Sequence, residues 1–278
     1  MWVVGKFSKA ISERFKHTKI KDGYCLICGN FGPLTQDHVP PQGSITISKI
    51  EQRHVVEVIG KDSPPVRGVL SPNGSKFKTI CSKCNNEHIG ANDEEIAKVN
   101  RKLTVKINEY FSDIHSVISQ ISVDVDPIKY ARAMAGHILA ATSVMECKSP
   151  PVESEYFDPI KKFVLGDDEA INKTHDIYYW FYPFNRHISA KFVGFRNEGH
   201  LSFISLLSFF PIAFMLTKKN EGTFPSHARK IEFDSHQLFL DLSSQGAVYS
   251  EFPFCGLKGN QMMLLNGTQA IVSYPVGQ

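Results

Sequence analysis

The chain is poor in several things at once. Its 278 residues hold two tryptophans and six cysteines, and 31 Lys and Arg against 28 Asp and Glu leave a formal net charge of only +3. Six cysteines are too few for a disulfide-dense scaffold. A charge this small does not by itself mark a nucleic-acid binder. Internal repeats and low-complexity tracts are missing, which excludes solenoid, collagen-like and largely disordered classes. Long apolar runs are missing too, with one near exception at residues 201–217 (LSFISLLSFFPIAFMLT). That stretch is short for a bilayer span and carries three serines and Pro211, so two strands turning at the proline are expected instead. The first residues run into charge rather than an apolar signal region. A soluble, cytoplasmic protein with no membrane partner is the expectation.

What is present fits an α+β protein. Hydrophobic residues make up 42% of the chain, with 20 Phe and nine Tyr, enough for one large or two modest cores. Charge is uneven: residues 1–103 carry 16 Lys and Arg against 10 Asp and Glu, and the remainder is slightly acidic. A basic front half suits a polyanion-facing module. Within it, residues 1–21 form a basic opening segment. Residues 22–95 are rich in turns, with strands expected at 53–59, 66–70 and 76–80, and Ser71-Pro72-Asn73-Gly74 reads as a hairpin turn between the last two. Gly90 reads as the end of a short helix beginning near Cys84, and Asn92 with Glu95 as the capping box of the next. From there Ile96, Val99, Leu103, Ile107, Tyr110, Ile114, Val117 and Ile121 recur at helical spacing, and a second helix follows Pro127. This helical pair, residues 96–147, offers a seam for a homodimer or for packing within the chain. Residues 152–278 read as a strand-rich domain with strands at 177–182, 188–195, 201–209, 212–217, 237–242 and 270–274.

Two Cys-x-x-Cys pairs, Cys25/Cys28 and Cys81/Cys84, supply four thiolates of the kind that cage Zn²⁺ tetrahedrally. Cys147 and Cys255 stand alone and read as core residues. Between the pairs lies Thr35-Gln36-Asp37-His38-Val39-Pro40-Pro41, and directly after the second pair Asn85-Asn86-Glu87-His88.

This ordered combination resembles the HNH, or ββα-metal, endonucleases braced by a four-cysteine zinc ribbon. The resemblance covers about residues 22–95, and residues 104–278 resemble no family. It implies an α+β chain with a zinc-braced ββα-metal domain at its front, acting as a metal-dependent phosphodiesterase on nucleic acid, double-stranded DNA above all, in a setting such as restriction or phage defence. By the same resemblance His38 is the general base, Asp37 a ligand of a catalytic Mg²⁺ or Mn²⁺, and Asn85 the helical ligand. His88, three residues on, is a further candidate as ligand or phosphate contact. Asn73 is the nearest counterpart of the family's middle Asn, although the expected position is occupied by Lys76. Structural zinc on Cys25, Cys28, Cys81 and Cys84 then orients strand and helix without taking part in chemistry. The competing class is a zinc-ribbon nucleic-acid-binding protein without catalysis, which needs the cysteines and basic charge but has no use for Asp37-His38.

Overall fold

The computed structural model describes residues 20–45, 49–54, 69–112, 118–197, 200–254 and 270–276. The basic opening segment up to residue 19, Ile114, Val117 and Cys255 lie outside these residues, as do parts of the strands expected at 53–59 and 66–70.

The described chain begins with two short strands, β1 (Asp22–Tyr24) and β2 (Phe31–His38). It then leaves for β3 (Ile50–His54) and β4 (Val69–Ser71) and returns as β5 (Lys76–Cys81). Strands β1, β2 and β5 form a small antiparallel sheet in that order. The turn at Pro72–Gly74 is present, with Gly74 at φ +72° and its carbonyl accepting from Ser71 Oγ. It is not a hairpin turn, however. Strand β4 pairs with β3 and β5 with β2, so the turn hands the chain from one sheet to another.

After Cys81 the chain enters a wide helical turn, Cys84–Ile89, closed by Gly90 N–H donating to the Asn85 carbonyl. It runs directly into α1 (Gly90–Ser112). The expected break at Gly90 is therefore absent: Gly90 keeps a right-handed helical conformation (φ −58°). Asn92 is likewise no cap. It is buried inside the helix and its amide donates to the His88 carbonyl. Helix α1 also stops short of Ile121, which falls in β6 (Gln120–Asp124). Ile96, Val99, Leu103 and Ile107, four of the eight seam positions, are buried within the chain's own core.

Asp126 caps α2 (Pro127–Ala140), its carboxylate accepting from Lys129 N–H, with Pro127 in the first turn, where a missing N–H costs nothing. Almost every residue of α2 is buried. Its small residues let neighbours come close: a Cβ on Gly136 would lie 2.6 Å from Ile89 Cγ1. Helix α3 (Phe157–Val164) packs beside it.

The strand-rich remainder supplies β7 (His175–Phe181), β8 (His187–Asn197), β9 (His200–Phe209), β10 (Ile212–Lys218), β11 (Arg229–Lys230), β12 (Gln237–Asp241) and β13 (Ala270–Pro275), plus the single turn α4 (Ser244–Ala247). Eight strands form one antiparallel sheet in the order β11-β7-β10-β9-β8-β13-β3-β4, and β12 pairs with β6. The apolar run at residues 201–217 is the β9–β10 hairpin, turning at Phe210–Pro211, and it is apolar because both faces of the sheet are covered. Ile212, Phe214 and Leu216 face the main core around α2, whereas Ala213 and Met215 face a second cluster with Trp180, Tyr182 and Phe254.

The topology runs across the expected domain boundaries. Strands β3 and β4, from within residues 22–95, complete the sheet of the C-terminal strands through β13, and a single core runs from Cys25 to Ile271. No helix among the described residues is long and apolar enough to cross a membrane.

Candidate metal centre and the adjoining Asp37–His38 site

The four cysteines converge. Cys25 and Cys28 lie on the turn after β1, where Gly29 N–H donates to the Cys25 carbonyl and Cys25 N–H to the Asn30 carbonyl. Gly29 sits at φ +77°, a conformation that glycine adopts without strain and that lets the knuckle fold back. Cys81 ends β5, and Cys84 opens the wide turn. Their sulfurs all lie within 4.8 Å of one another, and Cys28 and Cys81 are 3.8 Å apart. A tetrahedron with Zn–S distances of about 2.3 Å has S···S edges of about 3.8 Å, so these four side chains can hold a metal ion such as zinc. The electrostatics agree. Interaction with Cys84 draws Cys25 strongly toward thiolate, while that same contact and burial push Cys84 up. Four crowded sulfurs cannot all ionise without a cation among them. Cys147, expected in the core, is buried and close to the Thr79 carbonyl.

Next to this cage, β2 loses its regular alternation. Leu34 and Asp37 are both buried although they are three residues apart, because the β2–β5 register slips between Thr35 and Asp37. The bulge turns Asp37 inward and leaves His38 half-exposed at the strand's end. Asn85 secures that bulge: its Nδ2 donates to Thr35 Oγ1 (3.1 Å) and to the Gln36 carbonyl (2.9 Å). With both amide hydrogens engaged, Oδ1 is the atom of Asn85 that remains to accept or ligate.

His38 is held on both sides. Gln42 Nε2 donates to its Nε2 (2.9 Å), and its ring shares a hydrogen bond with the Asn73 backbone. The turn that sequence reasoning linked to Asn73 thus meets His38 through its main chain. Burial, then the Lys76 ammonium across the strand pair, lower His38 below the ordinary imidazole value; Asp37 opposes them without prevailing. Both causes favour the neutral ring.

Asp37 has a partner that the motif does not contain. His137 of α2 is fully buried, with Nδ1 2.9 Å from Asp37 Oδ2 and Nε2 2.8 Å from Asp93 Oδ1. Burial alone would lower this imidazole, but the two carboxylates outweigh it and hold it up at about 10. Spacing around the motif gave no sign of His137, which is 100 residues from Asp37. Asp93 lies between Asn92 and Glu95, where a helix-cap pattern masks any other signal. His88 is half-buried on the wide turn, its carbonyl accepting from Asn92. Among the described residues, the four cysteines are the one group of three or more Cys, His, Asp or Glu side chains close enough to hold a metal. A second ion near Asp37 would therefore be bound by few protein ligands and mostly by water. Comparison with known protein families, curated proteins and solved structures returned no match.

Proposed function

We propose that the chain is a zinc-braced, metal-dependent endonuclease of the HNH type that hydrolyses phosphodiester bonds in double-stranded DNA. The observation that carries this reading is the pairing of a half-exposed His38, whose surroundings favour the neutral ring, with an inward-turned Asp37 at one strand end. Asn85, from the turn that also carries Cys84, pins that strand end. A plain zinc ribbon needs neither the bulge nor the pinning.

In this reading His38 takes a proton from the attacking water, as a base that is neutral at working pH must. Its donor side rests on the Asn73 carbonyl and its acceptor side is Nε2, now met by Gln42. Water must displace Gln42 from that nitrogen before attack. Asp37 and Asn85 Oδ1 are oxygen donors, a set that suits Mg²⁺ or Mn²⁺ better than the thiolate cage does. When bound, such an ion supplies charge stabilisation at the phosphate and leaving oxygen. Lys76, the cross-strand partner of His38, adds a cation beside the same phosphate position.

The test is incubation of purified chain with plasmid DNA in Mg²⁺, Mn²⁺ or EDTA, with His38→Ala in parallel. Cutting by wild type that needs added divalent ion and is lost in His38→Ala supports the enzyme. DNA binding by both proteins without cutting by either would instead identify a zinc-ribbon binding module.

A further inference from the structure

We propose that His137 is a positioning residue for the catalytic ion, acting by fixing the carboxylate of Asp37 from behind. This inference rests on the nuclease reading, in which Asp37 is an ion ligand, and it extends the working site to a helix outside the motif.

The geometry leaves His137 little freedom. Both its ring nitrogens face carboxylate oxygens, at 2.9 Å and 2.8 Å. Ionised carboxylates only accept, so both nitrogens must carry hydrogens. Asp37 Oδ2 is thereby committed to Nδ1–H, and the carboxylate plane is set by a group that is itself locked at its far end by Asp93. Oδ1 remains outside this hydrogen bond. Ligating side chains are commonly held by such outer partners, whose loss typically costs about 10- to 100-fold in metal affinity or activity.

A purely structural role fits the surroundings less well. Apart from Pro127 and Gly136, the other buried residues of α2 are Ala, Ile, Leu, Met and Tyr packed in the main core. An apolar residue of similar volume at position 137 would be the simpler core element, since buried ion networks stabilise little compared with apolar replacements. Gly136, beside it, lets α2 approach the Asn85 turn closely enough for the imidazole to reach β2.

Two amide variants separate the roles. In His137→Asn the amide nitrogen hangs from Cγ, where Nδ1 was, and keeps a donor toward Asp37. In His137→Gln the amide nitrogen lies farther out, where Nε2 was, and keeps the donor toward Asp93 only. Both remove the same charge from the same site. Using the full zinc-loaded chain, Mn²⁺ affinity is measured by electron paramagnetic resonance, alongside the Mn²⁺ concentration for half-maximal cleavage and the melting temperature. We expect His137→Asn to stay within about threefold of wild type in Mn²⁺ affinity, and His137→Gln to weaken it about tenfold or more. Melting temperatures should fall similarly in both. Equal weakening by the two amides, or no weakening by His137→Gln, overturns the proposal. If His137→Gln does not fold, Asp93→Ala takes its place: the Asp93 side chain is 32% exposed, and removing its acceptor frees the far end of the imidazole, which should weaken Mn²⁺ binding measurably. An unchanged affinity there overturns the proposal equally. Failure of the underlying reading looks different, because the wild-type chain itself would then neither bind Mn²⁺ outside the cage nor cut DNA.

Discussion

The two clusters, built on the turn after β1, strands β2 and β5 and the turn Cys84–Ile89, differ in what their atoms have left to offer. The cysteine cage is closed: four sulfurs within 4.8 Å turn toward one another, and a metal ion there finds a full tetrahedron and no position for a substrate. The Asp37–His38 site is half open: His38 is half-exposed at the strand end, with Asp37 buried behind it. Asp37 has one oxygen committed to His137, Asn85 has its amide hydrogens committed to β2, and His38 offers a lone pair that, among the described residues, Gln42 covers. One site is suited to hold the backbone still, and the other keeps unsatisfied valence next to it. In the proposed reading the first braces and the second does the chemistry, and each part of that division can be attacked separately.

The largest effect should come from opening the closed site. Cys81→Ser removes one thiolate from the cage, at the junction of β5 and the turn bearing Asn85. Zinc content measured by atomic emission should fall from one ion per chain toward zero. The β1–β2–β5 sheet should then loosen, as structural sites of this type commonly contribute folding free energy outright. Nuclease activity should vanish along with protection of β2 amides in hydrogen exchange. Retained zinc with intact β2 protection would show that the cage does not brace the site.

Next in size is the loss of His38. His38→Ala should reduce cleavage by about two to four orders of magnitude, the usual cost of a positioned general base, while DNA binding changes little. Asp37→Ala should be similarly inactive at low Mn²⁺ but partly recover as Mn²⁺ is raised, because its part is affinity for the ion. His38→Ala should show no such recovery. The same metal response in both variants would collapse the distinction between base and ligand. Neither change should lower zinc content.

The contrast also explains how much could be read in advance. Each Cys-x-x-Cys pair places two ligands on one local turn, so the cage is written in short spacings, and only the meeting of the two turns required the fold. The strands of residues 177–217 were legible because apolar runs bounded by turn residues have few alternatives. The open site is different. Its bulge at Thr35–Asp37 depends on pairing with β5, and its buried partner His137 comes from a helix whose sequence reads as plain core. The membership of β3 and β4 in the large sheet was hidden for the same reason. Pairing with β13 joins residues more than 200 positions apart, and no periodicity reports that. The mistaken helix break at Gly90 shows the reverse error, in which local cap residues gave a signal that tertiary packing overrode. Ile89 is fully buried against α2, and that contact favours carrying the helix straight through.

A smaller effect is expected from the contact that joins the open site to α2. In Gly136→Ala the new methyl carbon would meet Ile89 Cγ1 at 2.6 Å, inside a core with no slack. Overpacking of this kind costs about 1–3 kcal/mol, offset in part by the gain of about 1 kcal/mol when alanine replaces glycine in a helix. The melting temperature should fall modestly, and cleavage should fall with it, because Ile89 and His137 flank the insertion. Zinc content should not change, since the cage does not rest on Gly136. A drop in zinc occupancy would mean that the two sites are mechanically one.

The smallest expected effect tests the electrostatics of the open site alone. His38 lies below the ordinary imidazole value first because it is partly buried and second because of the Lys76 ammonium, with Asp37 pulling the other way. Lys76→Gln removes the second cause and leaves the first, so the titration midpoint of the His38 ring, followed by NMR, should move upward but remain governed by burial. The sign carries through to the rate. Only neutral His38 accepts a proton, so activity is full above its midpoint and falls as pH drops through it. Raising the midpoint therefore shifts the acid limb of the cleavage profile to higher pH. In Lys76→Gln, cleavage just below neutrality should decline relative to wild type while the rate at pH 8 falls only by whatever Lys76 contributes at the phosphate. The cage, by contrast, should be indifferent: zinc content and melting temperature at pH 8 should match wild type, because Lys76 sits at the opposite end of β5 from Cys81. A downward shift of the His38 midpoint, or an acid limb that does not follow it, would break the link between this histidine's charge state and catalysis, and with it the assignment of the open site as the place where water is activated.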